Sequence, residues 1–558
     1  MGVACGILLT CLGILRSSYF QPMIAFLAPN NRVESSYLLL PAYAGIEMIA
    51  LSFLFLAYAL FGRQMDHLFR RAYHPILLLL CGVLVLLAFS TSIHRWLGPD
   101  EFEHVHSAWY ITAGYRPYTD FFQLHHPLLW YFLAPFLRVF GCSVHTVLIL
   151  RMVMFLFAMG IAYSTYLISQ RMSLSKDAGL FSVILLLSVV MFVERAIEIR
   201  PDVPQVFFGM ISIYALMRYF QSKNLKDIVI AAITCSLSFM FLQKTIFLLI
   251  AYAGIFAFRF LKGQTSLRPL LWFSVSFCLP LSFFLTSVVL MSGSLRAYYI
   301  TTVALNIDRS LVSFSPFVNV KAALVLNCLF WMLAFFSLAY TLVSKRMSED
   351  MKLLTFIGAT LLFSVFLVKH PYEQYFMQAI PLLSVVIGGS FDSLQRKYNL
   401  TEAQKLTVVL VVIAIPILWL SFLGLRNTNG GQLEKANYVL RNSGESDLIY
   451  DGSNQFNLYR RDLHYFWYNF EKLPVFNRLT DGKFADYDAC TLIRSKQPAF
   501  ISDYGIDMKK CWLDEVYEKT GFEGLFVRKK KHDSFEPGVT SQTAPVDFQR
   551  CVFLNRIS

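Results

Sequence analysis

The residues best suited to chemistry interrupt an otherwise apolar chain. After an apolar segment ending near residue 93 come Gly98-Pro99-Asp100-Glu101-Phe102-Glu103-His104, then Gly114-Tyr115-Arg116-Pro117-Tyr118-Thr119-Asp120-Phe121-Phe122-Gln123-Leu124-His125-His126-Pro127. Further on, Arg200-Pro201-Asp202, Gln243-Lys244-Thr245 and His370-Pro371-Tyr372-Glu373-Gln374-Tyr375 break other apolar runs. Carboxylates such as Asp100 and Glu101 can take a proton or hold a cation, and cations such as Arg200 and Lys244 can meet an anion. Ionisable groups beside hydrophobic spans are costly, which makes them functional candidates by default. The plainer alternative is a solvated loop whose acids face water. Against it stands the order of parts: a carboxylate pair at the exit of a span, an amphipathic run, a Gly and Pro turn, then His-His-Pro opening a short apolar helix. That order describes a loop folded back onto a membrane surface.

The elements that hold these residues follow from composition. Of 558 residues 56% are hydrophobic, 16% aromatic and 15% charged, whereas a soluble domain is about half apolar and a quarter charged. A single water-soluble domain is excluded, and an α-helical polytopic membrane protein is expected. A span needs about 20 mostly apolar residues. About thirteen candidates lie at 3–27, 37–62, 75–93, 145–169, 177–194, 201–220, 227–242, 245–260, 269–291, 319–343, 353–368, 376–391 and 406–425. The first has no charged leader and contains Arg16, so a membrane helix is favoured over a cleaved signal peptide. The stretch 127–140 is short and carries Pro135 and Arg138, so it reads as re-entrant or interfacial.

That choice fixes the topology. Six loops, 63–74, 171–177, 218–227, 259–268, 345–352 and 392–405, then share one side, with 17 Lys/Arg against 7 Asp/Glu. Such an excess marks the cytoplasmic side. The N-terminus falls on that side too, and the outer side receives segment 94–126, the 195–202 turn, Lys244, loop 292–318, the 369–374 turn and everything after Arg426. The formal charge of +13 lies entirely before that point, because the tail has 18 basic and 18 acidic residues. A basic nucleic-acid surface is therefore unsupported. The expected organisation is 1–74 as extra N-terminal helices, 75–426 as the main membrane domain with an outer loop at 94–126 and an interfacial helix at 127–140, and 427–558 as a small α/β domain outside the cytoplasm. In that tail Leu448-Ile449-Tyr450, Ala499-Phe500-Ile501 and Leu525-Phe526-Val527 are short apolar runs bounded by Asp, Ser or Gly, which marks strands. The ten cysteines show no metal-ligand spacing. Cys490 and Cys511 are able to pair in an oxidising compartment, which would leave Cys551 over.

Asp100-Glu101 with the Gly114 to Tyr131 run resembles the first outer loop of the GT-C superfamily of integral-membrane glycosyltransferases. The similarity is greatest to glycosyltransferase family 39, the protein O-mannosyltransferases, and to bacterial aminoarabinose transferases of lipid A. It continues through Arg200-Pro201-Asp202 with Pro204, Gln243-Lys244-Thr245 and His370 to Tyr375, and covers most of residues 75–425 in order. The tail resembles an outer domain appended by bacterial members. The resemblance implies the GT-C fold, a bacterial inner-membrane location, and transfer of one hexosyl or pentosyl sugar from a polyprenyl-phosphate donor to a lipid, glycan or protein acceptor.

Each group then has a chemical reason. Displacement at an anomeric carbon needs an acceptor hydroxyl that is oriented and partly deprotonated. Asp100 is the candidate base, and Glu101 either orients Asp100 and the sugar or caps the loop. The leaving phosphate needs fixed cations or donors, for which the candidates are Arg116, His126, Arg200 and Lys244. Relatives often carry Lys where this chain has His126, so that contact depends on its protonation or on a neutral N–H. Asp202 either pairs with Arg200 or binds sugar hydroxyls. Tyr372, Glu373 and Tyr375 stand where aromatic belts are ordinary, and Tyr372 is the candidate among them for donor contact. No cofactor is expected; a divalent metal on the carboxylates, as in oligosaccharyltransferases of the superfamily, is the less favoured arrangement. Two other functions fit the chain less well. A transporter or flippase would place charges near the midplane in two matching halves, and a lipid-diphosphate-dependent polymerase or ligase would carry a larger central outer loop.

Overall fold

A computed structural model describes residues 71–172, 174–307, 327–367, 372–467, 473–483 and 487–529. The segments expected at 3–27 and 37–62, most of the 1–74 unit, and Lys369 to Pro371 lie outside the described residues, as does Cys551.

The membrane part is a helical bundle. In chain order it comprises α1 (Arg71–His94), α2 (Pro99–Thr112), α3 (Leu128–Phe140), α4 (Val144–Arg171), α5 (Lys176–Ser188), α6 (Val190–Ala196), α7 (Asp202–Ser222), α8 (Leu225–Phe241), α9 (Ile246–Leu261), α10 (Arg268–Ser292), α11 (Cys328–Val343), α12 (Glu349–Ser364), α13 (Ile380–Tyr398) and α14 (Glu402–Leu425). Seven described helices are long and apolar enough to cross a membrane, or eight if one bent pair counts as a span. The exact count of thirteen is not reached among the described residues.

The bent pair corrects the single span expected at 177–194. Helices α5 and α6 meet at a 72° bend, where Val189 is extended and the backbone N–H of Val190 donates to Asn327 Oδ1 at 3.0 Å. A side chain from elsewhere thus satisfies a donor that an unbroken helix would have satisfied itself. The bend swings α6 and the turn after it toward the end of the bundle that carries Asp100.

Contacts tie the six basic loops to one face. His74 pairs with Asp177, Ser175 with Asp392, Gln221 with both Arg171 and Asp350, and Arg259 with Asp350, while Lys405 lies over the Tyr73 ring. The opposite end is built from chain breaks: the start of α2, the 197–201 turn, a short turn at Gln243–Thr245 between α8 and α9, and another at Glu373–Gln378 before α13. The Gln243–Thr245 break is pinned by Ser238, whose hydroxyl donates to the Gln205 carbonyl at 2.8 Å and bonds the Thr245 hydroxyl at 2.8 Å.

Helix α15 (Gly430–Arg441) begins the tail, which carries β1 (Leu448–Tyr450), β2 (Arg461–Asp462), β3 (Phe500–Ser502), β4 (Tyr517–Lys519) and β5 (Leu525–Arg528). They form one sheet in the order β2-β1-β3-β5-β4, parallel across β2, β1 and β3, and antiparallel at β5 and β4. The three apolar runs read from the sequence supply its centre: β1, β3 and β5. Cys490 and Cys511 are joined by a disulfide.

This domain clamps segment 94–126. Thr428 donates its N–H to the His94 carbonyl, Gln432 bonds both the N–H and the carbonyl of Leu97, and Trp467 donates to the Phe122 carbonyl. Buried His106 places Nε2 at 2.7 Å from Asp462 Oδ2 and Nδ1 at 3.0 Å from the Leu458 carbonyl, and the Tyr110 hydroxyl also donates to Asp462. Helix α2 is therefore sandwiched between α3 and the tail, which explains why residues all around its circumference are buried.

Candidate functional site

Helix α2 opens with Gly98 and then Pro99, a residue whose missing N–H costs nothing in the first turn. Asp100 and Glu101 follow in that turn, where the helix dipole favours negative charge. Their side chains diverge. Glu101 turns inward and accepts from the Gly98 N–H at 2.8 Å, from the Ile199 N–H at 3.1 Å and from Arg151, on α4. Arg151 is fully buried and spends its remaining donors on the carbonyls of Ser92, Arg95 and Trp96. Glu101 therefore caps and anchors the loop. Both of its oxygens are occupied, and the direct catalytic alternative finds no free oxygen.

Asp100 turns outward and pairs with Arg200. Arg200 comes from the turn after α6, and its Nε also lies 3.4 Å from Asp202 Oδ2, at the start of α7. Asp202 in turn accepts from Lys244 Nζ at 2.7 Å, and that ammonium lies 3.4 Å above the centre of the Tyr375 ring. Three separated segments thus bring Asp100, Arg200, Asp202 and Lys244 into one chain of contacts. The Tyr372 ring stands 6.0 Å from that of Tyr375 at its margin.

A second layer holds the turn in place. Glu198 accepts from Arg95 at 2.9 Å and Arg195 at 2.8 Å, and Arg195 also reaches Glu373 at 2.9 Å. Burial raises the pKa of Glu198, but Arg195, Arg95 and Arg200 override it and bring the carboxyl down to about 2. Burial likewise opposes the charge of Arg200, and Asp100, Asp202 and Glu198 outweigh it, so its pKa rises. Both groups stay ionised at any physiological pH. Access distinguishes the acids: the Asp100 side chain is 44% exposed, against 4% for Asp202 and 1% for Glu101. Asp100 is the carboxylate of this network that an arriving hydroxyl can reach.

Two expected phosphate contacts lie elsewhere. Arg116 is exposed, pairs with Asp120 in its own turn and points toward Gly293 at the end of α10. His126 is buried among the rings of Phe239, Phe284 and Tyr298, with Nδ1 at 3.1 Å from the Phe239 carbonyl. Burial lowers its pKa to about 4, so the ring is neutral. Its one proton faces that carbonyl, and no N–H is left to offer a phosphate. The sequence reading also passed over Arg151, Arg95 and Glu198. A lone arginine inside the apolar run Val144 to Leu156 is itself a signal, because only a buried partner makes it tolerable in a span.

Comparison with known proteins agrees with this architecture. A family model described as dolichyl-phosphate-mannose-protein mannosyltransferase matches residues 124–291. An uncharacterised protein of Aquifex aeolicus (strain VF5) is 25% identical over 354 residues, 61% of this chain and 69% of that protein. ArnT from Cupriavidus metallidurans bound to undecaprenyl phosphate superposes with a TM-score of 0.55 at 12% identity, covering 69% of this chain and 84% of ArnT. Its apo state gives 0.53 at 12% identity, over 70% and 85% of the two chains. The chain is a multi-span membrane protein with the GT-C fold and a small C-terminal sheet, and it resembles the GT-C glycosyltransferases.

Proposed function

We propose that the chain is a glycosyltransferase that moves a single hexosyl or pentosyl group from a polyprenyl-phosphate donor to a lipid, glycan or protein acceptor on the outer face of the membrane. The observation that carries this reading is the half-open Asp100, held by Arg200 beside Asp202 and Lys244. In it Asp100 is the general base. It takes the proton of the acceptor hydroxyl as that oxygen attacks the anomeric carbon, and the lipid phosphate leaves with the electrons of the broken glycosidic bond. Lys244 and Arg200 meet the departing phosphate, and Tyr372 lines its approach. Asp202 holds both cations in place.

The reading includes a bacterial inner-membrane location, with the six basic loops and the N-terminus cytoplasmic and residues 427–558 outside. Its test is comparison of the envelope glycans of cells with and without the gene. One glycan is expected to lose a single sugar, regained with the wild-type gene, and unchanged glycans would overturn the assignment. Sidedness has its own test. A cysteine at exposed Tyr504 in the tail is expected to react with an impermeant thiol reagent applied outside, and one at Ser348 to stay unlabelled, in a background where every other cysteine that the reagent labels, exposed Cys278 and Cys328 among them, is replaced. The reverse labelling would invert the topology.

A further inference from the structure

Beside the charged chain lie two buried ring nitrogens without hydrogen-bond partners among the described residues, His104 Nε2 and His125 Nδ1. His104 is one helical turn beyond Asp100 on α2, so the two share a face of that helix. Its other nitrogen is committed, because Trp130 Nε1–H donates to His104 Nδ1 at 3.1 Å. An imidazole that accepts at Nδ1 carries its proton on Nε2. His104 therefore presents a buried N–H with no acceptor among the described residues.

His125 faces the same space. The two rings are 5.3 Å apart, and the Tyr118 hydroxyl donates to the His125 carbonyl at 2.7 Å. Tyr118 does so from a left-handed backbone conformation, φ 68°, which is rare for a bulky residue and concentrates at functional sites. Burial above all lowers the pKa of both imidazoles, that of His125 to about 4, so both are uncharged. The charges that act on the His125 ring are those of Asp202, Arg200, Asp100 and Lys244, which places the pair against the site already described.

Glu103, His104 and His125 each bring a ligand-type atom within 4.8 Å of the others, a spacing that first suggests a cation. The tautomer set by Trp130 argues otherwise. Nε2 of His104 carries hydrogen and is a donor rather than a ligand, and turning the ring over would set a C–H against the buried indole N–H. Where the proton of neutral His125 sits on Nε2, its Nδ1 accepts beside that donor, and the complement to the two is a group that both accepts and donates; among substrate groups that is a hydroxyl.

Resting on the proposed sugar transfer, we propose that His104 and His125 form an imidazole subsite that reads one hydroxyl of the transferred sugar, with His104 Nε2–H donating to it and His125 Nδ1 accepting from it. The sugar has to lie between Asp100, which faces the acceptor, and the phosphate held by Lys244 and Arg200, and the imidazole pair borders that space.

The test uses the full-length protein with undecaprenyl phosphate carrying glucose, mannose, galactose or arabinose, then the mono-deoxy forms of the sugar that is transferred. The wild type is expected to lose about 10-fold to 100-fold in kcat/KM for one deoxy donor, the size of an unmet buried hydrogen bond. His104→Leu is expected to use that deoxy donor and its parent equally well. Wild-type indifference to every deoxy donor, or undiminished discrimination by His104→Leu, would overturn the subsite. Should His104→Leu not fold, His125→Leu is read by the same two outcomes. Discrimination that changes with the acceptor would place the hydroxyl on the acceptor and overturn it as well. Absence of transfer from every donor by the wild type would instead remove the glycosyltransferase reading, and the subsite with it.

Discussion

Asp100→Asn is expected to lower sugar transfer by about 10²-fold to 10⁴-fold, the usual contribution of a positioned general base, while the protein still accumulates in the membrane. The amide has the shape of the carboxylate but cannot take the hydroxyl proton. The fold should tolerate the change. Asp100 is half open, and Arg200 keeps Asp202 at 3.4 Å and Glu198 at 3.9 Å when its first partner loses charge. Donor affinity should hold or improve, since Arg200 becomes freer to meet phosphate. Lost turnover with retained donor binding is thus the signature, read by transfer assays beside donor titration. Normal turnover would remove Asp100 from the chemistry.

Arg151→Met should act in the opposite way, through the fold. Arg151 is buried in α4 and bonds Glu101 through two nitrogens, and three backbone carbonyls at the exit of α1. Its removal leaves the Glu101 carboxylate buried and uncompensated. Breaking such a pair by deleting one partner costs about 3–5 kcal/mol, measurable as a shift in chemical denaturation of the detergent-solubilised protein. The double variant Arg151→Met with Glu101→Leu should recover part of that loss, because no buried charge then lacks its partner. A single variant as stable as the wild type would show that the pair does not hold the loop.

The sequence made the site partly legible for a physical reason. Asp100, Arg200, Asp202 and Lys244 each sit where an apolar run breaks, beside Pro99, Pro201 or the Gln243–Thr245 turn, and ionisable residues at such breaks stand out. Direction was not legible. Asp100 and Glu101 are neighbours in one helical turn, yet one turns outward and the other faces the core. Arg116 and His126 lie in the same distinctive loop, and the loop carries them away from the charged chain. Arg151 had no local motif, since its partner is 50 residues earlier. The bend between α5 and α6 was equally hidden, being completed by Asn327 from 137 residues away. In the tail the apolar runs marked the central strands, whereas strand order and direction depend on pairings that no single run contains.

The chain of contacts from Asp100 through Arg200 and Asp202 to Lys244 leaves each of these cations already facing a carboxylate. On the proposed reading a donor phosphate enters by exchange, taking the place of an acid that lies in contact with its cation. A free phosphate ion offers little that the displaced acid did not, and has to win that exchange from dilute solution. A phosphate anchored by a polyprenyl chain is held at the depth of the site, where tethering raises its effective concentration without any added contact. Preference for a lipid-borne leaving group would then come from confinement to two dimensions, and the site would stay indifferent to the soluble phosphates around it.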